Sequence, residues 1–274
     1  MRSFRSSIPA ARAGGFTLVE LLVVVGITAI LGALVFSGAS AAIQAAHRTR
    51  EMVAARSLIT AYLTAASDNN GELLPGYDFG ANNLTAPDGT KLSPQVVCER
   101  YPFRLAPYFN YDLDGTVLVN NTKQQIEQIA PAGSSMHNYL ISVFPAFGMN
   151  SYFVGGERTL DGPASYPKDC VTTLPQGGSS LLVFASAGTG EGAARVDGYF
   201  RITPPTLSSW SSVKWTPDID PGSYGNVDGR YNGKAVCAFL DGSVSVLSID
   251  QLRDMRLWDK AAIEQNDPNF SDFQ

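Results

Sequence analysis

The N-terminal part of the chain holds its most distinct hydrophobic pattern. Residues 21–46 form an apolar run of 26 positions without a charged side chain. A helix needs at least about 18 apolar residues to cross a bilayer. A basic leader, residues 1–15, precedes the run, and one acidic residue, Glu20, lies immediately before it. The pattern predicts a membrane-spanning helix over residues 16–46.

The helix is expected to continue beyond this run as an amphipathic extension over residues 47–70. Its predicted apolar stripe recurs at three- and four-residue steps, as on one face of a helix. The Asp68-Asn69-Asn70-Gly71 sequence predicts its end, because Asn or Gly adopts the left-handed cap conformation. The stripe contains Met52, Ala55, Ile59, Tyr62 and Ala66, widened by Leu58 and Leu63. The polar positions are His47, Arg48, Arg50, Glu51 and Arg56.

The remaining residues, 71–274, are expected to form one globular α+β domain rich in loops. Frequent Gly and Pro predict turns, and the apolar run 180–185 predicts a strand buried on both faces. Two further strands are predicted at residues 117–119 and 139–144. A tryptophan-containing segment, 208–215, is expected to be a core flap more often than an exposed recognition surface.

The clearest strand pair surrounds Asp241-Gly242, because Asp-Gly favours a two-residue hairpin turn. Pairing outward from that turn places Phe239 opposite Val244 and Cys237 opposite Val246. These four side chains are then expected on one core face, with the intervening serines on the other.

The sequence Gly15-Phe16-Thr17-Leu18-Val19-Glu20 resembles the N-terminus of type IV prepilins and type II secretion pseudopilins. The resemblance implies cleavage between Gly15 and Phe16 by a prepilin peptidase, followed by N-methylation of Phe16. It also implies that Glu20 pairs with the new amine of a neighbouring subunit, since an unpaired carboxylate is very unfavourable in low dielectric. The main alternatives are a plain anchor or a signal peptide. A signal peptide, however, has a shorter core and small residues after it, not before it.

The C-terminal third resembles, more loosely, prepilin-type proteins with a His-x9-Asp-Gly signature. The signature's Asp-Gly falls at Asp241-Gly242, and Tyr231, separated from Asp241 by nine residues, occupies the histidine position. The departure leaves the hairpin intact and removes any role that needs an imidazole.

Composition and residue spacing further limit the binding sites and activities that the chain is expected to have. A net charge of −5 argues against a nucleic-acid-binding surface. Cys98 and Cys170 are open to either a disulfide or two free thiols, whereas Cys237 is expected in the core.

The Asp112-x-Asp114-Gly115 sequence suggests calcium, but a distal glutamate ligand is missing, which favours a solvated turn. Two histidines, without a nucleophile or metal-ligand spacing, predict that the protein is not an enzyme and has no cofactor.

These observations predict a pilin-like α+β fold, in which a long N-terminal helix packs on an antiparallel sheet. The expected function is a structural subunit of a type II secretion or type IV pilus-like filament. Its expected location is the bacterial inner membrane, single-pass, with the C-terminal domain periplasmic or extracellular. The implied partners are the prepilin peptidase, other subunits and an inner-membrane assembly platform, with no nucleic acid. One alternative is a minor tip subunit whose exposed Trp210 and Trp215 bind polysaccharide or exported cargo. The other is a membrane-anchored periplasmic hydrolase.

Overall fold

A computed structural model confirms the α+β class, with a long N-terminal helix and an antiparallel sheet. The chain divides into two compact units, residues 1–45 and 46–274. Helix α1 (Leu18–Asp68) runs from the first into the second. The structure describes residues 17–85, 91–92, 95–159, 162–163, 170–174, 180–206 and 210–271, without the side chains of 34–38 and 162–163.

The predicted stripe and stop signal of α1 are confirmed. Ala55, Leu58, Ile59, Tyr62 and Ala66 have no exposed surface, while Met52 and Leu63 are half-buried at its edges. The helix ends with Asn70 and Gly71 at positive φ angles of 54° and 84°. The Gly71 amide donates to the carbonyl of Ala66 at 2.7 Å, which satisfies a carbonyl of the last turn.

The main sheet has four antiparallel strands, in the order β2 (Phe147–Met149), β5 (Leu182–Ser186), β6 (Lys234–Phe239), β7 (Val244–Ser248). Strand β5 is buried throughout, as its apolar run predicts. A second, three-stranded sheet joins β1 (Tyr77–Asp78), β3 (Glu157–Thr159) and β4 (Gly162–Pro163) in that order.

The described part of the chain also contains short helices. They are α2 (Val96–Glu99), α3 (Tyr101–Leu105), α4 (Thr122–Ile129), α5 (Ser135–Val143) and α6 (Lys260–Gln265). Single 3₁₀ turns cover Ala106–Phe109, Gly192–Ala194, Pro221–Tyr224, Gln251–Arg253 and Met255–Leu257.

Alternate side chains of β6 enter two different hydrophobic cores, as the two-residue period of a strand requires. Val236 and Ala238 belong to the core that contains the α1 stripe. Ala235, Cys237 and Phe239 belong to a second core. All five are buried, so the expected burial of Cys237 is confirmed.

The hairpin is present, but its predicted register is wrong by one residue. Val244 pairs with Ala238 and Val246 with Val236, which leaves Cys237 opposite Ser245. The Gly242 amide donates to Phe239 at 2.9 Å, and of the two turn residues Gly242 alone has a positive φ, 82°. A type I′ turn needs two such residues. The loop is therefore one residue longer than predicted. This one-residue slip places the side chains of β7 on the opposite face of the sheet from the predicted one.

The strand predicted at residues 139–144 is also wrong, because this segment lies in α5. The Ser134 hydroxyl accepts from the amide of His137 at 3.1 Å and caps the helix. His137, Leu140 and Ile141 are buried, at the three- and four-residue spacing of one helical face. A local cap therefore outweighs the strand propensity of the β-branched residues.

The strand predicted at residues 117–119 is replaced by a turn. The amides of Val117 and Leu118 donate to the carbonyl of Leu113 at 3.1 and 2.9 Å. Gly115, at a φ of 78°, reverses the chain. The three apolar side chains are buried, so this run contributes core without pairing with a strand.

Candidate functional sites: the start of the long helix and a buried polar network

Glu20 lies in the first turn of α1, where Thr17 holds its carboxylate. Glu20 Oε2 accepts from the Thr17 amide at 2.9 Å and from the Thr17 hydroxyl at 2.8 Å. In return, the Glu20 amide donates to Thr17 Oγ1 at 3.2 Å. This reciprocal pattern is a capping box, which satisfies amides at the helix start. Among the described residues, Glu20 Oε1 has no partner.

The helical surface that follows Glu20 is apolar and exposed. Ten large hydrophobic side chains between Leu18 and Leu31 expose at least half of their surface. A soluble monomer rarely leaves so large an apolar patch uncovered, so such a surface indicates contact with protein or membrane. The ten exposed side chains are Leu18, Val19, Leu21, Leu22, Val23, Val24, Val25, Ile27, Ile30 and Leu31.

Within the part of the chain that the structure describes, no helix has both the length and the hydropathy to span a bilayer. The membrane-spanning segment 16–46 therefore stays a prediction. Gly15 and Phe16, the predicted cleavage and methylation residues, lie outside the described residues.

A second polar site is buried in the globular unit, centred on Glu51 of α1. The Glu51 side chain has no exposed surface. Its Oε1 accepts a hydrogen bond from the Ser186 hydroxyl on β5. Its Oε2 accepts from the Tyr231 hydroxyl at 2.5 Å and lies 3.7 Å from Arg230 Nη1. The site thus joins α1, β5 and the segment before β6.

Arg230 extends this network to a second buried acid. Its Nε lies 3.2 Å from Asp228 Oδ2. Because neither atom makes a well-aligned hydrogen bond, this contact is an ion pair. Asp228 Oδ1 accepts from Arg195 Nη2 at 2.7 Å. The Arg230 guanidinium also donates to the carbonyls of Ala187 and Asp197.

The charges alternate from Glu51 through Arg230 and Asp228 to Arg195. Burial alone would lower the pKa of Arg230, but the Glu51 and Asp228 carboxylates outweigh it and raise that pKa. Burial, assisted by the Glu51 charge, raises the pKa of Tyr231 well above its usual range. Tyr231 therefore stays a neutral donor at physiological pH. Buried charges that pair with one another suit a structural clamp.

Tyr231 is the residue that takes the histidine position of the His-x9-Asp-Gly pattern. Its hydroxyl binds Glu51 and also accepts from Asn120 Nδ2 at 3.2 Å. The Asp241-Gly242 end of the pattern forms the hairpin turn, where Asp241 Oδ1 accepts from the Ser243 amide at 2.9 Å. Both ends therefore have structural contacts in this chain.

Sequence reasoning missed the burial of Glu51, which it assigned to the polar face of α1. Glu51 lies four residues before Ala55 and seven before Leu58, on the same helical face as the buried stripe. A lone carboxylate on an otherwise apolar stripe was the available signal. Its partners could not be identified, because they lie 135 and 180 residues away in sequence.

Comparison with known families adds one finding. A model described as the prokaryotic N-terminal methylation motif matches residues 11–36. The chain carries this motif, consistent with a type IV prepilin-like protein. The match contains the Thr17–Glu20 capping box and most of the exposed apolar surface of α1. No curated protein and no solved structure was found to match the chain.

The remaining candidate site residues predicted from the sequence have ordinary structural environments. Asp114, from the calcium-like sequence, pairs with Lys123 Nζ at 2.5 Å. No group of metal-binding side chains occurs among the residues described. Cys98 is buried and Cys170 half-buried, and both are free thiols.

Trp210 and Trp215 are buried, each with 8% of its surface exposed. The expectation of a core flap is confirmed, and the exposed recognition surface is wrong. Trp210 packs edge-on against Tyr224 and Trp258, with ring centroids 6.1 and 5.9 Å apart. Burial of both indoles removes the exposed aromatic surface that a polysaccharide would need.

Proposed function

We propose that this protein is a structural subunit of a type II secretion pseudopilus or type IV pilus-like filament. A prepilin peptidase cleaves it between Gly15 and Phe16, and Phe16 is then N-methylated. The methylation motif at residues 11–36 carries the proposal. The capping box at the helix start and the exposed apolar surface behind it support it.

Glu20 is the proposed assembly residue. Thr17 holds one carboxylate oxygen, which fixes the side chain at the start of the helix. The other oxygen is available to the α-amino group that cleavage creates on Phe16 of an adjacent subunit. In a non-polar filament core, an unpaired carboxylate would be strongly unfavourable, so pairing would both recruit and align the next subunit.

The apolar first half of α1 has two successive environments in this proposal. Before assembly, residues 16–46 anchor the precursor in the bacterial inner membrane, with the globular unit on the periplasmic or extracellular side. After processing, an inner-membrane assembly platform transfers the subunit, and helices from many subunits cover one another's apolar surfaces. We propose a structural role without enzymatic activity, consistent with the paired state of the buried network.

Mass spectrometry of the native protein tests the processing step. The expected mature chain begins at Phe16 and carries one N-terminal methyl group. A native chain that begins at Met1, or one that is cut after residue 40, would contradict the proposal.

The assembly step is tested with Glu20→Ala, compared with Thr17→Ala as a matched control. Glu20→Ala should leave membrane insertion and cleavage intact while filament yield falls. Thr17→Ala removes the cap but keeps the carboxylate, so it should retain far more assembly. Wild-type filament yield from Glu20→Ala would refute the pairing role.

A further inference from the structure

A small groove lies in the globular unit, between α1 and the turn over residues 115–120. Its volume is about 430 Å³, within the range of small-molecule pockets. One wall is the exposed side of α1, and the other is the turn. The lining residues are Thr49, Arg50, Val53, Gly115, Leu118, Val119 and Asn120.

Hydrogen bonds hold the turn against α1, so the groove is preformed. The Gly115 amide donates to the Leu118 carbonyl at 2.8 Å and closes the turn. Asn120 Nδ2 donates to the carbonyl of His47 on α1 at 3.1 Å. Leu118 and Val119 are buried and form an apolar floor, whereas Val53 is exposed at the rim.

Arg50 is the one charged residue in the lining of this groove. Its side chain is exposed and makes no hydrogen bond or ion pair with any residue that the structure describes. The acids that adjoin the lining in sequence already have partners: Glu51 is bound by Tyr231, and Asp114 pairs with Lys123 at 2.5 Å. An uncommitted guanidinium above an apolar floor suits a ligand with an anionic head and an apolar body.

The position of the groove along α1 indicates where such a ligand would come from. The predicted membrane-spanning segment ends at residue 46, and an α-helix rises about 1.5 Å per residue. Arg50 therefore lies about 6 Å beyond the edge of the hydrocarbon core along the helix. The headgroup layer on each side of that core is about 5–8 Å thick, so Arg50 lies at the level of the lipid headgroups.

We infer that this groove binds the headgroup of an anionic membrane phospholipid, with the Arg50 guanidinium donating to the phosphate. A guanidinium can donate two parallel hydrogen bonds to one phosphate, and the apolar floor accommodates the start of an acyl chain. A zwitterionic lipid carries its own cation and should bind less tightly. This inference rests on the proposed membrane anchor, because the anchor places the groove at headgroup level.

The ¹⁵N-labelled mature chain, kept in a maltoside detergent that contains no phosphate, supplies the test. NMR follows the side-chain Nε–H signals of Arg50 and Arg56 and the amide signal of Leu118. Dioleoyl phosphatidylglycerol, dioleoyl phosphatidylcholine and inorganic phosphate are titrated separately. Phosphatidylglycerol should move the Arg50 and Leu118 signals saturably and leave the Arg56 signal in place. Inorganic phosphate has no apolar part and should bind at least about tenfold more weakly.

Arg50→Gln is the decisive variant, because it removes the cation from an exposed position and keeps a long polar side chain. It should weaken phosphatidylglycerol binding about fivefold. Arg56→Gln is the matched control: Arg56 is equally exposed on α1 but lies outside the lining. This control should bind the lipid as the wild type does.

Flotation of the mature chain with neutral phosphatidylcholine vesicles tests the anchor separately. A chain that does not float would overturn the anchor and this inference together. If the chain floats, three results overturn the inference alone: phosphatidylglycerol leaves the Arg50 signal in place, inorganic phosphate binds as tightly as the lipid, or Arg50→Gln binds at full strength. An Arg50 signal that moves with protein concentration in the absence of lipid would also overturn it, since a second copy of the chain would then occupy the groove.

Discussion

Tyr231→Phe is the most informative change to the buried network. It removes one hydroxyl and leaves the aromatic ring in place, so the loss is confined to hydrogen bonding. The Tyr231 hydroxyl donates to Glu51 Oε2 at 2.5 Å and accepts from Asn120 at 3.2 Å. Glu51 has no exposed surface, so solvent cannot replace the lost donor.

The expected loss of stability follows from the acceptor. A hydrogen bond to a charged group contributes about 1.5–3 kcal/mol and a neutral one about 0.5–1.5 kcal/mol. The Tyr231→Phe variant loses one bond of each kind, and we expect the free energy of unfolding to fall by about 2–4 kcal/mol. Ser186 and Arg230 remain beside Glu51, which keeps the loss below that of an isolated buried charge.

Tyr62→Phe is the matched control. Tyr62 is also fully buried, but its hydroxyl donates to the neutral carbonyl of Leu74 at 3.1 Å. Its loss should cost about 0.5–1.5 kcal/mol. Urea unfolding of both variants at pH 7, followed by tryptophan fluorescence in detergent, gives the two values. If Tyr231→Phe costs no more than Tyr62→Phe, the clamp does not stabilise the fold as argued.

Three further predictions follow from burial. Leu58→Ala should lower the free energy of unfolding by about 2–5 kcal/mol, whereas Val53→Ala, at 62% exposure, should change it by less than about 0.5 kcal/mol; a similar loss in both urea curves would contradict the assigned helix face. Burial, and then the hydrogen bond to Glu99, raises the pKa of Tyr77 to about 12. Because the folded state favours its neutral form, the Tyr77 contribution should persist up to the unfolded value near 10 and decline between about pH 10 and 12; Tyr77→Phe should remove that part of the pH dependence. Burial raises the pKa of Cys170 to about 12, so at pH 8 its thiolate fraction is about a thousandfold below that of an ordinary thiol; iodoacetamide should label it far more slowly in folded than in urea-unfolded protein, and equal rates would refute this environment.

Local signals in the sequence were sufficient to predict several parts of the fold. The stripe and stop of α1 depend on spacing and on Asn70-Gly71 alone. Strand β5 follows from a continuous apolar run, and the β6–β7 hairpin from Asp241-Gly242 between two strand-like segments. Each of these is determined by residues close together in the chain.

Other features depended on details that composition does not show. The hairpin register was set by the φ angle of Asp241, which stays negative and selects a longer loop. Residues 139–143 have strand-like composition, but Ser134 caps them as a helix. In the candidate sites, the sequence singled out Glu20 but not its hydrogen bonds to Thr17, and the role of Glu51 could be recognised only from its distant partners.

The Glu51 clamp also constrains the order in which the globular unit is completed. Its helix emerges early in synthesis, yet Tyr231 and Arg230 follow about 180 residues later. Until they are synthesised, the carboxylate has no cation to accompany it into the interior, and an uncompensated charge resists burial. The helix and sheet should therefore pack together only after nearly the whole chain has been synthesised. A polypeptide stalled before residue 230 would remain a loosely packed substrate for proteases.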